Sequence, residues 1–255
     1  MLALPKIPRI QPWKTTAKGL IGCWPLFEGA GPVLHDVSGY GWDGAFQATA
    51  ASANALPGAV GMPGQNVISL DGRAGYVDLS AALSSYIFND NPGFSITCWF
   101  YPTVIDGNWH TVLIKQDAAT TNRQFFLGLN GGFGPPTNGL SLFLSNATAS
   151  TAAVGTMALS TGRWYFAAIT HYGTATPAAL GLTVIPAGGA PLPLTTYQPG
   201  DFCGVDPDGG VNPVLLGAYY PVADDLFFAG LIGETRLYSR VLAASEILDI
   251  YTGTE

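Results

Sequence analysis

Glycine and proline punctuate this chain too densely for long helices: 33 Gly and 19 Pro occur among 255 residues, about one residue in five, against ~12% in an average protein. Each such residue inside a helix costs ~1–3 kcal/mol, so coiled coils and helical bundles are excluded. Between the breakers lie short apolar runs. Phe94-Ser-Ile-Thr-Cys-Trp-Phe-Tyr101 places Phe94, Ile96, Cys98 and Phe100 on one side and Ser95, Thr97, Trp99 and Tyr101 on the other, the period of two that a strand requires. Both sides carry bulk, which reads as a central strand with one face in the core and the other lining a concave surface. Similar runs occur at Leu20–Trp24, Val67–Leu70, Tyr76–Leu79, His110–Lys115, Gln124–Leu129, Leu140–Leu144, Trp164–His171, Gly181–Ile185, Val214–Gly217 and Glu234–Tyr238. About eleven antiparallel strands pack most economically as two sheets face to face. One helix is expected, Ala243–Tyr251, with Leu242, Ile247, Leu248 and Ile250 as its apolar stripe and Gly253 beyond it. Residues 1–18, with Pro5, Pro8 and Pro12, read as an extended arm, and residues 19–255 as one all-β domain.

Charge is scarce and unevenly placed. Only 11% of residues are charged, and 48% are hydrophobic, a balance that excludes intrinsic disorder. Lys6, Arg9, Lys14 and Lys18 all precede the first acidic residue, Glu28, so the arm carries +4. Six basic and 17 acidic residues remain for the body, a charge of −11. An acidic body is a poor match for a phosphate backbone, so nucleic acid is not an expected partner.

The opening residues contain no apolar stretch of the length a secretory signal needs, and no segment approaches a membrane span. Synthesis without Sec export and no membrane partner are the expectations. Cys23, Cys98 and Cys203 are far apart and lack a C-x-x-C spacing, so buried free thiols are expected in place of disulfides or a zinc site.

Several segments, in order, resemble laminin-G-like domains of the concanavalin A-like lectin/glucanase superfamily. They are Gly19-Leu-Ile-Gly-Cys-Trp-Pro-Leu-Phe-Glu-Gly-Ala-Gly31 with Asp36-Val-Ser-Gly39, Ser69-Leu-Asp-Gly72 with Tyr76-Val-Asp-Leu79, Phe94–Pro102, Gly162–Gly173 and Gly230–Ile247. The resemblance covers nearly everything after Lys18 and implies a two-sheet antiparallel jelly-roll sandwich with adjacent chain ends. It also implies a structural calcium near Asp36, with Glu234 as a second carboxylate. However, the family's Asp before that Glu is Gly233 here, and calcium takes six to eight oxygen ligands. Asp36 therefore has two readings, calcium ligand or turn-forming residue, and no cofactor is required. The family's helix-starting Ser is Ala243 here, which removes an N-cap worth ~1 kcal/mol.

Catalysis is not expected. The superfamily's glucanases carry an alternating run of carboxylates on one strand, which this sequence lacks, and glycoside hydrolysis needs two carboxylates ~5–10 Å apart. His35, His110 and His171 stand apart from any nucleophile motif, and His171 reads as a structural histidine. Lectin-like sites combine aromatic platforms with a few polar groups. Trp42, Trp109, Tyr219 and Tyr220 are the candidates, while Trp99 and Trp164 fall where the family uses Trp for packing.

The fold hosts lectins, hydrolase appendages, adhesion modules and virion proteins alike. A basic arm ahead of a sparsely charged, acidic body suits a tether, which Lys6, Arg9, Trp13, Lys14 and Lys18 would form. The resulting expectation is a non-catalytic bacteriophage virion protein, a capsid decoration or capsid- or tail-associated protein. It would be held by its arm on the major capsid or another virion protein, and would be a homo-oligomer by analogy. The alternative is a carbohydrate-binding module that attaches to host or surface glycans.

Overall fold

In the computed structural model the described residues are 15–26, 31–54, 66–79, 83, 93–116, 123–129, 138–145, 153–156, 158–172, 180–197, 212–219 and 226–254. They form two antiparallel sheets packed face to face and one C-terminal helix. The seven-stranded sheet runs β13 (Leu180–Pro186), β12 (Tyr165–His171), β7 (Phe94–Pro102), β16 (Ala229–Tyr238), β5 (Asn66–Asp71) and β4 (Ala51–Asn54). β1 (Leu20–Trp24) pairs with the C-terminal half of β16, from Leu20 opposite Tyr238 to Trp24 opposite Thr235. The start of the domain and its end are thus neighbouring strands.

The nine-stranded sheet runs β14 (Leu194–Tyr197), β11 (Ala153–Thr156), β10 (Leu140–Ser145), β9 (Arg123–Leu129), β8 (His110–Gln116), β15 (Val214–Leu216), β6 (Tyr76–Asp78), β3 (Gly44–Gln47) and β2 (Val33–Leu34). All eleven strands expected from the sequence are present. Five further short ones, β2, β3, β4, β11 and β14, complete the sheets at or near their edges, where pairing partners rather than local pattern decide whether a segment is a strand.

Between the sheets, Ile96, Cys98 and Phe100 of β7 with Ala167 and Ile169 of β12 meet Leu113, Phe125, Leu127, Leu140 and Leu142 of the other sheet. Burying each large side chain of this kind contributes ~1.5–3 kcal/mol. The other side of β7 does not line a concave surface, as the sequence led us to expect. Trp99, Trp164, Phe166 and Tyr238 form a second core beneath helix α1 (Ala244–Thr252), whose Ile247, Ile250 and Tyr251 cover them. The Trp99 and Tyr251 rings stack at 5.5 Å. The Tyr251 hydroxyl donates to the Pro186 carbonyl (3.1 Å) and accepts from the Gly188 amide (2.9 Å), which ties the helix to the end of β13. Without a capping Ser, the helix start is held from the other direction: the Glu246 carboxylate accepts the Ala243 amide at 2.8 Å.

The Ser-Leu-Asp-Gly motif makes the turn from β5 to β6. The Asp71 carboxylate accepts the amides of Arg73, Ala74 and Gly75 and the Thr49 hydroxyl, and these bonds hold it well below the usual carboxylate range. Gly72 has φ +72, and a Cβ there would stand 2.7 Å from that of Ala229, so this position needs glycine.

Candidate functional site

The side of the nine-stranded sheet that faces away from the other sheet carries a cluster of rings. On β10, Leu140 and Leu142 point into the intersheet core, which leaves Ser141 and Phe143 on the opposite side. On β9, Phe125, Leu127 and Leu129 point inward and Phe126 outward. The ladder pairs Phe143 with Phe126, Phe126 with Ile114, Ile114 with Leu215 and Leu215 with Asp78, so these five side chains form one row across five strands.

Trp109, in the loop before β8, sets its ring edge-on to Phe126 (5.4 Å between centroids, 72°) and to Phe143 (5.3 Å, 67°). Tyr219, just after β15, approaches Phe126 in the same manner (6.1 Å, 67°). Phe126 is the buried centre. Trp109, Phe143 and Tyr219 flank it and Tyr76 packs on the same cluster, all four half-buried, and the edge-on geometry is the one aromatic quadrupoles favour. Gly128 makes room for this arrangement: a Cβ there would fall 2.6 Å from Phe126 Cζ and 3.0 Å from the His110 carbonyl oxygen.

Polar groups sit at the margins. Burial, and then the Asp78 carboxylate two residues along β6, raise the Tyr76 phenol above its ordinary range, so it remains a protonated donor. Thr111 pairs with Gly128 and so shares the ring-bearing side; its fully buried hydroxyl has no hydrogen-bond partner.

Trp109 and Tyr219 are the two sequence candidates that the fold brings together. Trp42 lies elsewhere: it packs against the intersheet core and Tyr40 (5.1 Å), and its carbonyl accepts the Trp24 indole N–H at 3.0 Å. Tyr220, Lys6, Arg9, Trp13 and Lys14 fall outside the described residues. Lys18 is exposed, and its carbonyl accepts Arg240 Nε at 2.6 Å. Sequence reasoning missed Phe126, Phe143 and Tyr76. The signal was available for two of them: Gln124, Phe126 and Gly128, and likewise Ser141 and Phe143, are alternate positions where an aromatic stands on an otherwise polar or small face.

The carboxylates read as calcium ligands are engaged within the protein. Asp36 accepts the amides of Cys23 (2.9 Å), Ser38 (2.8 Å) and Trp42 (3.1 Å) and the Ser38 hydroxyl (2.7 Å). These four donors match in number the ~four lone-pair positions of a carboxylate. Glu234 is buried and accepts Arg236 Nε at 2.6 Å. No group of three or more His, Cys, Asp or Glu side chains converges among the described residues. His171 is buried and stacked on Phe94 at 5.2 Å, a structural position. No described helix is long and apolar enough to cross a membrane.

The Laminin_G_3 family, described as the Concanavalin A-like lectin/glucanases superfamily, matches residues 71–180. No curated protein sequence matches significantly. Among solved structures, domain 4 of AbnA, a GH43 extracellular arabinanase from Geobacillus stearothermophilus in complex with arabinotriose, is similar at TM-score 0.59 and 18% identity. The match covers 91% of this chain and 98% of that domain. Trypanosoma rangeli sialidase in complex with sialic acid is similar at TM-score 0.59 and 14% identity, with 92% of this chain covered but 33% of the sialidase. The binding domain of Botulinum neurotoxin DC, in complex with rat synaptotagmin II, is similar at TM-score 0.62 and 12% identity, over 94% of this chain and 53% of that one. At these identities the likeness shows the fold.

Proposed function

We propose that this chain is a non-catalytic, lectin-like carbohydrate-binding module whose site is the aromatic platform centred on Phe126. The observation that carries the reading is the placement of Trp109, Phe143, Tyr219 and Tyr76, half-buried, on the outer side of a sheet whose inner side already supplies the core. Sugar rings present C–H faces that pack on aromatic surfaces, while their hydroxyls seek marginal donors and acceptors of the kind Tyr76, Tyr219 and Asp78 provide. The row across the platform includes one carboxylate, Asp78, where glycoside hydrolysis ordinarily uses two; the module binds without cleaving. An arabinanase domain in complex with arabinotriose has the same fold, which supports the reading. Neither the comparisons nor the described residues support the virion, capsid partner or homo-oligomer that the sequence led us to expect.

A glycan array probed with the intact chain, alongside Trp109→Ala and Phe143→Ala, tests the proposal. Binding to a defined set of glycans that falls at least tenfold in both variants is the expected result. No glycan binding by the wild type, or binding that both variants retain, overturns it.

A further inference from the structure

We propose that Asp106 and His110 are positioning residues for Trp109, and that the protonated form of His110 is the one that holds the Trp109 ring in the platform. The functional consequence rests on the reading of that platform as a glycan site.

Trp109 is carried by the loop between β7 and β8, not by a ladder, so its backbone must be fixed by other means. Asp106 Oδ1 accepts the Asn108 amide at 3.0 Å and stands 2.9 Å from His110 Nε2. The other imidazole nitrogen, Nδ1, stands 2.9 Å from the Phe227 carbonyl oxygen. The Thr111 amide donates to the Leu226 carbonyl at 3.0 Å. Trp109 is thereby bracketed: Asn108 before it is bonded to Asp106, and His110 and Thr111 after it are bonded to the segment that leads into β16.

The two atoms facing the imidazole have one property in common. A backbone carbonyl and an ionised carboxylate can only accept, so both bonds exist together only when both ring nitrogens carry hydrogen. The Asn108 amide, first, and His110 hold the Asp106 carboxyl at about 2, so Asp106 stays ionised across the range in which histidine ordinarily changes charge, pH 5–8. Around the ring, Leu129 opposite it on β9 and Phe227 are uncharged. Asp224 and Asp225 precede Leu226 in the chain and fall outside the described residues. His110 is buried, so a bond given up on losing the proton is poorly replaced by water. Either the loop parts from Asp106 or the strand start parts from Phe227. In both cases one of the bonds that bracket Trp109 is lost and its edge-on contacts with Phe126 and Phe143 loosen.

The test reads the ring and the glycan separately. The acrylamide quenching constant of Trp109, obtained by difference against Trp109→Phe, is followed from pH 5 to 8 in the wild type, His110→Gln and Asp106→Asn, with circular dichroism monitoring the fold. Trp109 is expected to become more accessible as pH rises, to show no such transition in His110→Gln, and to be more accessible at pH 5 in Asp106→Asn than in the wild type, because the charge-assisted bond to His110 is lost. Glycan-array affinity at pH 8 is expected to fall at least fivefold from its value at pH 5.5 in the wild type alone. A quenching constant independent of pH in the wild type, or a transition that both variants retain unchanged, overturns the positioning role. A transition that follows His110 with no glycan bound at any pH upholds the positioning role and sinks the glycan reading.

Discussion

Arg240 and Glu246 form a two-pronged ion pair, Nη2 to Oε1 at 2.7 Å and Nη1 to Oε2 at 2.8 Å, that fastens the residues just after β16 to the first turn of the helix. The same carboxylate accepts the Ala243 amide, and the same guanidinium donates through Nε to the Lys18 carbonyl. One pair therefore supplies the Glu half of a capping box, binding the N-cap amide, and also fixes the point where the N-terminal residues enter the sandwich.

Glu246→Ala removes the helix-start bond and leaves Arg240 without its carboxylate. Bidentate charge-assisted pairs are the strong ones, and a lost helix start costs ~1 kcal/mol, so the expected loss is about 1–2 kcal/mol in chemical denaturation. Glu246 is held below its ordinary value by Arg240, chiefly through their hydrogen bond. A carboxylate depressed in the fold contributes stability above its unfolded pKa and loses it as pH falls, so the wild type's advantage over the variant should shrink on acidification.

Gly128→Ala should damage the platform while sparing the intersheet core. The added methyl would collide with the outer edge of the Phe126 ring and press on the His110 carbonyl, and such overpacking costs ~1–3 kcal/mol. The chain should fold, with Phe126 displaced, and glycan affinity should fall about as far as in Trp109→Ala. Unchanged affinity would show that Phe126 does not set the platform.

His171 is buried against Phe94, and desolvation lowers its pKa to about 4 from an ordinary 6.5. The fold therefore prefers the neutral ring. The stability tied to it is fully present above pH 6.5 and is lost as pH falls from 6.5 towards 4. Replacing it by a residue that does not titrate, as in His171→Phe, should flatten stability over that window in urea titrations, whatever the variant's stability at pH 8. A slope equal to the wild type's would contradict the assignment.

Cys23 and Cys98 are buried free thiols, and burial pushes Cys98 up to about 12. Since the thiolate is the reactive form, neither should react with a water-soluble thiol reagent at pH 8 until the protein unfolds. Both should then react at the rate of unfolded cysteine. Rapid labelling of Cys98 in the native state would refute its burial.

What local pattern determines, the sequence determined alone. The period of two in Phe94–Tyr101, the breakers that bound each apolar run and the stripe ahead of Gly253 specify strands, turns and one helix, and the ordered motifs after Lys18 imply the sandwich. Tertiary structure decided which faces are covered. Trp99 and Phe126 both stand on strand faces turned away from the intersheet core, and their local sequences do not say which face is covered; the helix, through Tyr251, seals one, while the other is left on an outer face beside Trp109 and Tyr219. Asp36 reads from the sequence as ligand or turn former, and the amides of Cys23, Ser38 and Trp42 meet on its carboxylate only because the fold brings those segments together. Strand periodicity is a property of neighbours in the chain. Burial of a face, and the convergence of residues 76, 109, 126, 143 and 219, depend on pairings between strands far apart in sequence, which only the closed sandwich establishes.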